Sequence, residues 1–449
     1  MYTWFCSNVL FPLHERVKGH HSVSLHRELE RTQWLEPRAV REVQLANLRH
    51  FLSTVAVRVP YYREIFQRCS FDPAQLTSLR DLERLPFLTK PVVRENLEHL
   101  KASDAGRLKR YNTGGSSGEP LVFYMGLDRI SHDVAAKWRA TRWWNVDIGD
   151  TEVVLWGSPI EVGAQDRLKA ARDLLLRTRL LPAFQMSDAK MDEYLRVLSQ
   201  VRPRMLYGYA SALAMLSRHA QRRSLSLRNS GVRVVFATGE TLYPDQRTDI
   251  EAVFGAPVAN GYGSRDAGFI AHQCPAGSLH VTAEHVIVEL VDAEGRTVPT
   301  GERGEIVVTH LATGDFPFVR YRTGDVAVAT DAPCSCGRGL PVLEEVTGRT
   351  TDFIRTVSGN AMHALALIYE VRDRPGVRAF KFLQAEDLSL ELHLVAGPEL
   401  TKEVEGAIRQ GVLQRMGSGT QLTIRRVEHI PPEKSGKYRY VVSRARATA

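Results

Sequence analysis

Cysteine is scarce: five in 449 residues, an odd number that leaves no complete disulfide framework. A reducing cytoplasm is the expected compartment. No apolar run approaches the ~20 residues needed to cross a bilayer. The most apolar part of the start, Tyr2 to Leu13, runs at once into His14, Glu15, Arg16 and Lys18, without the basic flank and small-residue cleavage site of a secretory leader. No integral membrane segment is expected; the start reads as a helix packed on its own domain, with a peripheral membrane contact as the alternative. The 33 glycines and 21 prolines show no collagen-like period or low-complexity bias that would prevent packing. Internal repeats are absent. So is any basic stripe interleaved with aromatics, which removes nucleic acid from the expected partners.

What is present is ordinary globular composition, 43% hydrophobic and 24% charged, on a chain too long for one small core. Two or more domains follow. The net charge of +8 favours anionic partners, nucleotides among them.

From Ser24 to Cys69 apolar residues recur at helical spacing, broken at Pro37 and Pro60, which makes residues 1–70 a helical lead-in. Beyond Tyr111, strand-like runs (Leu121–Tyr124, Val153–Trp156, Val232–Ala237, Pro257–Asn260) alternate with helical stretches (His132–Trp144, Met191–Val201, Tyr209–Arg223). That alternation predicts an α/β fold with a largely parallel sheet. An antiparallel region follows, with Val286–Val291 and Gly304–Thr309 joined around Asp292–Gly295. Ala379–Leu383, Leu388–Val395, a helix over Thr401–Gln414 and Gln421–Val427 make a small α+β unit. The expected division is 1–351 and 352–449.

The densest signal is Tyr111-Asn-Thr-Gly-Gly-Ser-Ser-Gly-Glu-Pro120. Gly114, Gly115 and Gly118 expose backbone N–H groups, while Thr113, Ser116 and Ser117 add hydroxyl donors, a set suited to phosphate oxygens. A flexible surface turn is the plain alternative. The run also satisfies the G-x-S-x-G pattern of a nucleophile elbow, with Ser116 as nucleophile, but an elbow needs a buried strand before it and a helix after it. Here Lys109-Arg110 precede and an apolar strand follows. Two further loops, Thr238-Gly239-Glu240 and Gly261-Tyr-Gly-Ser-Arg-Asp266, each follow a predicted strand, where open α/β sheets place their ligand crevice. Tyr262, followed by Gly263 in the same candidate nucleotide-binding loop, could stack on a base, and Asp266 could hold magnesium. Tight turns with a solvated carboxylate are the alternative. Tyr321–Asp325, Gly348–Asp352 and Pro431–Lys437 each mix glycine with charge, as turns do; their order along the chain is what carries weight.

With those motifs in that order, nearly the whole chain resembles the adenylate-forming superfamily, within it the phenylacetate-CoA ligase group and its capsular-polysaccharide (CapK-like) branch. The resemblance implies a large α/β domain and a small mobile C-terminal domain. It implies ATP and Mg2+ as cofactors, a small carboxylic acid as substrate, and acyl transfer from an acyl-adenylate to an acceptor. Residues 113–118 would be the phosphate loop; Gly239, Glu240 and Tyr262 would border the adenine; Asp266 would stand near magnesium. Asp325 would bind the ribose hydroxyls, Arg349 would assist near ribose and phosphate, Asp352 would be the hinge and Lys437 the catalytic lysine. Asp266 stands where the family usually has Glu. The segment Thr356-Val-Ser-Gly-Asn-Ala-Met-His363 replaces an Arg-Gly-Val-Asn-like run, which leaves CoA, an amine or a sugar hydroxyl open as acceptor.

Cys274, His280, Cys334 and Cys336 offer four ligands for a tetrahedral structural zinc, with His272 an alternative; free thiols are the competing reading. Cys6 and Cys69 read as packed residues, and His132, His219 and His310 as surface or satisfied core residues. Two other functions compete with the ligase, a serine hydrolase using the GGSSG loop and a non-catalytic nucleotide-binding protein.

Overall fold

The computed structural model describes residues 1–112, 121–156, 172–183, 186–240, 242–347, 353–358, 360–363, 365–372, 374–430, 440–443 and 445. The expected phosphate loop, Arg349, Asp352 and Lys437 lie outside them.

One 11-stranded sheet organises the large part of the chain. Its first half is parallel: Thr178–Pro182, Glu152–Trp156, Met205–Tyr209, Val234–Thr238 and Val258–Ser264 lie side by side in that order. Every residue of Val234–Thr238 is buried, because helices cover both faces. Val235 and Ala237 pack with the helices Asp188–Val201, Ala210–Arg222 and Pro244–Phe254. Val234 and Phe236 face Ala140 of the helix Leu127–Arg142 on the other side. Such doubly covered strands read as continuous apolar runs, the signal present in the sequence.

At Ser264 the chain reverses, and the second half is antiparallel. Gly268–Gln273 pairs with Val258–Ser264, then Leu279–Val281, Val342–Thr347, Phe318–Thr330, Arg303–His310 and Val286–Val291 complete the sheet. The hairpin Val286–Val291/Arg303–His310 matches the expectation. Six strands of this sheet were not legible: Thr178–Pro182, Met205–Tyr209, Gly268–Gln273, Leu279–Val281, Phe318–Thr330 and Val342–Thr347. Met205–Tyr209 sits at the centre of the parallel half, and Tyr321–Asp325 belongs to a 13-residue strand instead of a turn.

Pro37 and Pro60 each occupy the first turn of a lead-in helix, Pro37–Arg58 and Pro60–Arg68, where their missing N–H costs nothing. Leu48, Leu52 and Val55 share a core with Ile306, Val308 and Phe318 of the antiparallel strands. A buried ion pair, Arg139 to Glu284 at 2.6 Å, takes a further bond from Thr32 at 2.7 Å and joins lead-in, helix and sheet.

The C-terminal residues form a four-stranded sheet, Leu422–Arg426, Leu390–Ala396, Val377–Gln384 and Val441–Ser443, covered by the helix Lys402–Met416. Its core, from Ile354 to Val441, has its own members. Among the described residues no helix is long and apolar enough to cross a membrane.

Candidate functional site

The carboxyl ends of the parallel strands gather the described motif residues. Thr238 closes its strand and donates to Gly261 O at 2.7 Å, fixing two adjacent loops together. Gly239 follows at φ +79°; a side chain there would meet the Tyr209 ring at 3.1 Å and Trp156 at 3.3 Å. Those rings stack at 4.1 Å, an aromatic wall on the ends of two neighbouring strands. The Glu240 carboxylate accepts from the Ser211 backbone N–H at 3.1 Å and from its hydroxyl, at the start of the helix Ala210–Arg222, where helix N–H groups favour negative charge.

Tyr262 reaches across the sheet, donating to Asp325 Oδ2 at 3.1 Å. Burial and the Asp325 charge both raise its phenol pKa well above the usual value, so it is a neutral donor at physiological pH. Gly263 has no room for a Cβ, which would stand 2.3 Å from Gly268 O, and this close approach shapes the turn that carries Asp266. The Asp266 carboxylate accepts from Ser264 at 2.5 Å, from Tyr321 at 2.5 Å and from the Ala267 N–H at 3.2 Å. Burial alone would raise its pKa; Lys90 and the Ser264 and Tyr321 bonds outweigh it and hold the carboxyl below the ordinary range. Asp266 is therefore a stable carboxylate.

Arg265 Nη1, next to Asp266, lies 3.4 Å from Asn112 O, the residue preceding the Gly/Ser loop. The strand Lys109–Asn112 has no buried residue, and the next described element is the strand Val122–Met125, its antiparallel partner. Neither flank has the form an elbow requires.

Two partners of the Asp266 turn, Lys90 and Arg129, have no sequence signal, and Tyr321 was legible only as the start of the Tyr321–Asp325 motif. Arg129 is 2% exposed and held by Asp133 at 3.1 Å; it donates to Asp266 O at 3.1 Å and faces Arg265 O at 3.3 Å. His219 is a satisfied core residue, bonded to Asp192 at 2.7 Å. His132 and His310 are also buried; among the described residues the His132 ring nitrogens and His310 Nε2 make no close hydrogen bond, the Asp133 carboxylate standing 3.9 Å from His132 Nδ1. Burial and Arg129 keep His310 neutral. The Ala312 N–H approaches His310 Nδ1 at 3.3 Å, which leaves the proton on Nε2.

At the far end of Gly268–Gln273 stand Cys274 and His280, joined by Cys334 and Cys336; their four ligand atoms lie within 4.8 Å of one another. Cys274 Sγ and Cys334 Sγ are 3.6 Å apart, and Cys336 Sγ is 3.3 Å from His280 Nε2. Ligands on a tetrahedral zinc, with bonds of about 2.0–2.3 Å, stand roughly 3.5–3.8 Å from each other. His280 Nδ1 faces Leu340 O at 3.3 Å, the outer contact that leaves Nε2 as a lone-pair donor. Burial pushes the Cys274 thiol up to about 12 and His280 down to about 4. His272 is buried elsewhere on the strand, stacked on Phe269. Cys6 and Cys69 are free and packed.

A family model described as AMP-binding enzyme matches residues 113–313, and one described as CapK C-terminal domain matches 355–444. Protein CapK of Staphylococcus aureus is 22% identical over 409 residues, covering 90% of this chain and 89% of that one. A phenylacetate-coenzyme A ligase of Pseudomonas putida is 24% identical over 323 residues, covering 70% and 72%. Among solved structures, a 2-hydroxyisobutyryl-CoA ligase in complex with 2-HIB-AMP and CoA superposes with TM-score 0.65 at 22% identity, covering 92% of this chain and 91% of that one, a likeness of fold. The AMP-binding enzyme match spans the Asp266 turn and is followed by the CapK C-terminal match over the C-terminal sheet, so the chain is similar, in that order of parts, to CapK and to the phenylacetate-CoA ligases.

Proposed function

We propose that the protein activates a small carboxylic acid with ATP, forming an acyl-adenylate and pyrophosphate, and passes the acyl group to CoA, an amine or a sugar hydroxyl. The observation carrying this reading is the convergence of Asn112, the Arg265–Asp266 turn, the Tyr262–Asp325 pair and the Thr238–Glu240 loop at the carboxyl ends of the central strands. A carboxylate oxygen attacks the α-phosphorus, the bond to the bridging oxygen breaks, and negative charge builds on the phosphoryl oxygens and departing pyrophosphate. Such a step needs fixed donors and cations more than a nucleophile. In this assignment residues 113–118 supply amide and hydroxyl donors, Asp325 takes the ribose hydroxyls, Gly239 and Tyr262 border the adenine, and Arg349 stands near ribose and phosphate. Lys437, on a small domain pivoting at Asp352, brings the ammonium group. Withdrawing that domain frees the site for the acceptor.

Magnesium, when bound, neutralises phosphate charge. Asp266 is the residue to hold it: Ser264, Tyr321 and Ala267 already occupy much of its accepting capacity, so the remaining Oδ2 lone pair suits a water-bridged contact. Zinc fits the Cys274, His280, Cys334 and Cys336 set; four protein ligands leave no open position, so its role is structural. The test is pyrophosphate release across a panel of carboxylic acids, repeated with CoA, amines and sugar nucleotides. Lys437→Ala should abolish release while ATP still binds; equal rates in variant and parent reject the assignment. Labelling of Ser116 by a fluorophosphonate, with no pyrophosphate formed, would instead favour the hydrolase.

A further inference from the structure

Tyr2–Phe5, Cys6–Leu10 and Phe11–Val17 join into one helical run, the middle segment a π turn closed by the Phe11 N–H on Cys6 O. Cys6, Ser7, Phe11 and Glu15 face inward and are buried. Phe11 meets the edge of Trp138 at 5.3 Å, Thr3 bonds Asp150 at 2.9 Å, and Glu15 accepts from Ser22 at 2.5 Å beside His20 Nδ1 at 3.0 Å. The run is firmly docked on its own domain, as its sequence suggests.

Its outer face, however, is unusually apolar. A surface helix ordinarily turns its apolar stripe to the core. Here a serine and a glutamate point in, while Trp4, Phe5, Val9, Leu13 and Val17 point out at 65%, 46%, 43%, 60% and 81% exposure. Phe5, Val9, Leu13 and Val17 fall every fourth residue, a continuous ridge. Leu174 extends it at 79% exposure, next to Leu175, whose carbonyl accepts from the Tyr2 hydroxyl at 2.7 Å. Exposed apolar ridges of this size mark an interaction surface.

Cations surround the ridge. Arg16 and Lys18 are exposed at its end, and the Arg177 guanidinium sits 4.3 Å over the Tyr2 ring. Burial and the nearby charges of Arg172 and Lys109 lower the Lys18 pKa against the opposing pull of Glu15 and Asp173, the latter paired with Arg172, so Arg16, Lys18, Lys109 and Arg177 are the cations that leave this side net positive. An apolar ridge edged by like positive charges complements anionic headgroups above an acyl layer. At about 1.5 Å per residue the run is too short to span the ~30 Å hydrocarbon core, so it would lie in the interface plane.

We propose that this outward face docks the protein on an anionic lipid bilayer, with Trp4, Phe5, Leu13 and Val17 seated among the lipids and Arg16, Lys18 and Arg177 on the headgroups. The inference is independent of the adenylation reading. Co-sedimentation with large unilamellar vesicles tests it, using phosphatidylcholine alone and phosphatidylcholine with one quarter phosphatidylglycerol. The full chain should pellet with the anionic vesicles, release several-fold at 0.5 M NaCl, and show little affinity for the neutral ones. Phe5→Ser and Leu13→Ser should each weaken binding about tenfold, with an unchanged circular dichroism spectrum. Absence of binding to anionic vesicles overturns the proposal. So does a wild-type dimer in sedimentation velocity that Leu13→Glu turns monomeric with vesicle binding unaltered, which would make the face an interface between copies.

Discussion

Tyr321→Phe removes one oxygen from the core, and the structure sets what that should cost. The hydroxyl stands 2.5 Å from Asp266 Oδ2, Tyr321 is fully buried and Asp266 nearly so. A charge-assisted bond of this kind contributes about 1.5–3 kcal/mol, and its loss leaves a buried carboxylate short of a donor. The expected destabilisation at pH 7.5 is about 2 kcal/mol, roughly a 30-fold change in the unfolding equilibrium. All six tryptophans lie between Trp4 and Trp156, so tryptophan fluorescence during urea titration reports the large sheet without the C-terminal unit. A double-mutant cycle with Asp266→Ala should return a coupling energy of about 2 kcal/mol. A coupling below about 0.5 kcal/mol would refute the view that Tyr321 holds the charge of Asp266. In pyrophosphate release the variant should also move the acid limb upward, since a lost donor disfavours the ionised carboxyl.

Metal analysis after exhaustive dialysis should find about one zinc per chain, and Cys334→Ser should lose most of it together with thermal stability; a metal-free, equally stable parent would sink the site. Burial holds His272 and His285 at about 3, whereas in the unfolded chain each takes up a proton near 6.5. Between those values the unfolded state binds more protons, so stability falls as pH drops below 6.5, by about 1.4 kcal/mol per unit per histidine and roughly 4 kcal/mol for the pair at pH 5. Urea midpoints at pH 7 and pH 5 measure this, and equal midpoints would contradict it.

The elements legible from sequence share one property, that their local pattern agrees with their tertiary setting. Val234–Ala237 is a continuous apolar run because both faces are covered, and Pro37 and Pro60 mark helix starts wherever the helices pack. Met205–Tyr209 escaped because it is short, contains Gly208 and runs straight into a helix. That glycine is required by a close approach, since a Cβ would meet Leu155 O at 2.5 Å. In Phe318–Thr330 the Thr-Gly-Asp triplet looks like a turn, yet the strand absorbs Gly324 at φ +79° and continues.

The same division runs through the site. Chemistry confined to neighbours in the chain was readable: glycine beside hydroxyls, a carboxylate in a turn after a strand, and enough cysteine and histidine for a metal. Folding alone could bring Tyr321 across 55 residues and Arg129 across 137 to the Asp266 turn, or close Cys274 on Cys334 across 60. Hydrogen bonds and ligand sets depend on distances of a few ångströms, and only the paths of intervening strands determine those distances. The outward apolar ridge is the converse case. Its fourfold spacing is written in the first seventeen residues, but which side meets the domain was decided by the pocket that accepts Phe11 and Glu15.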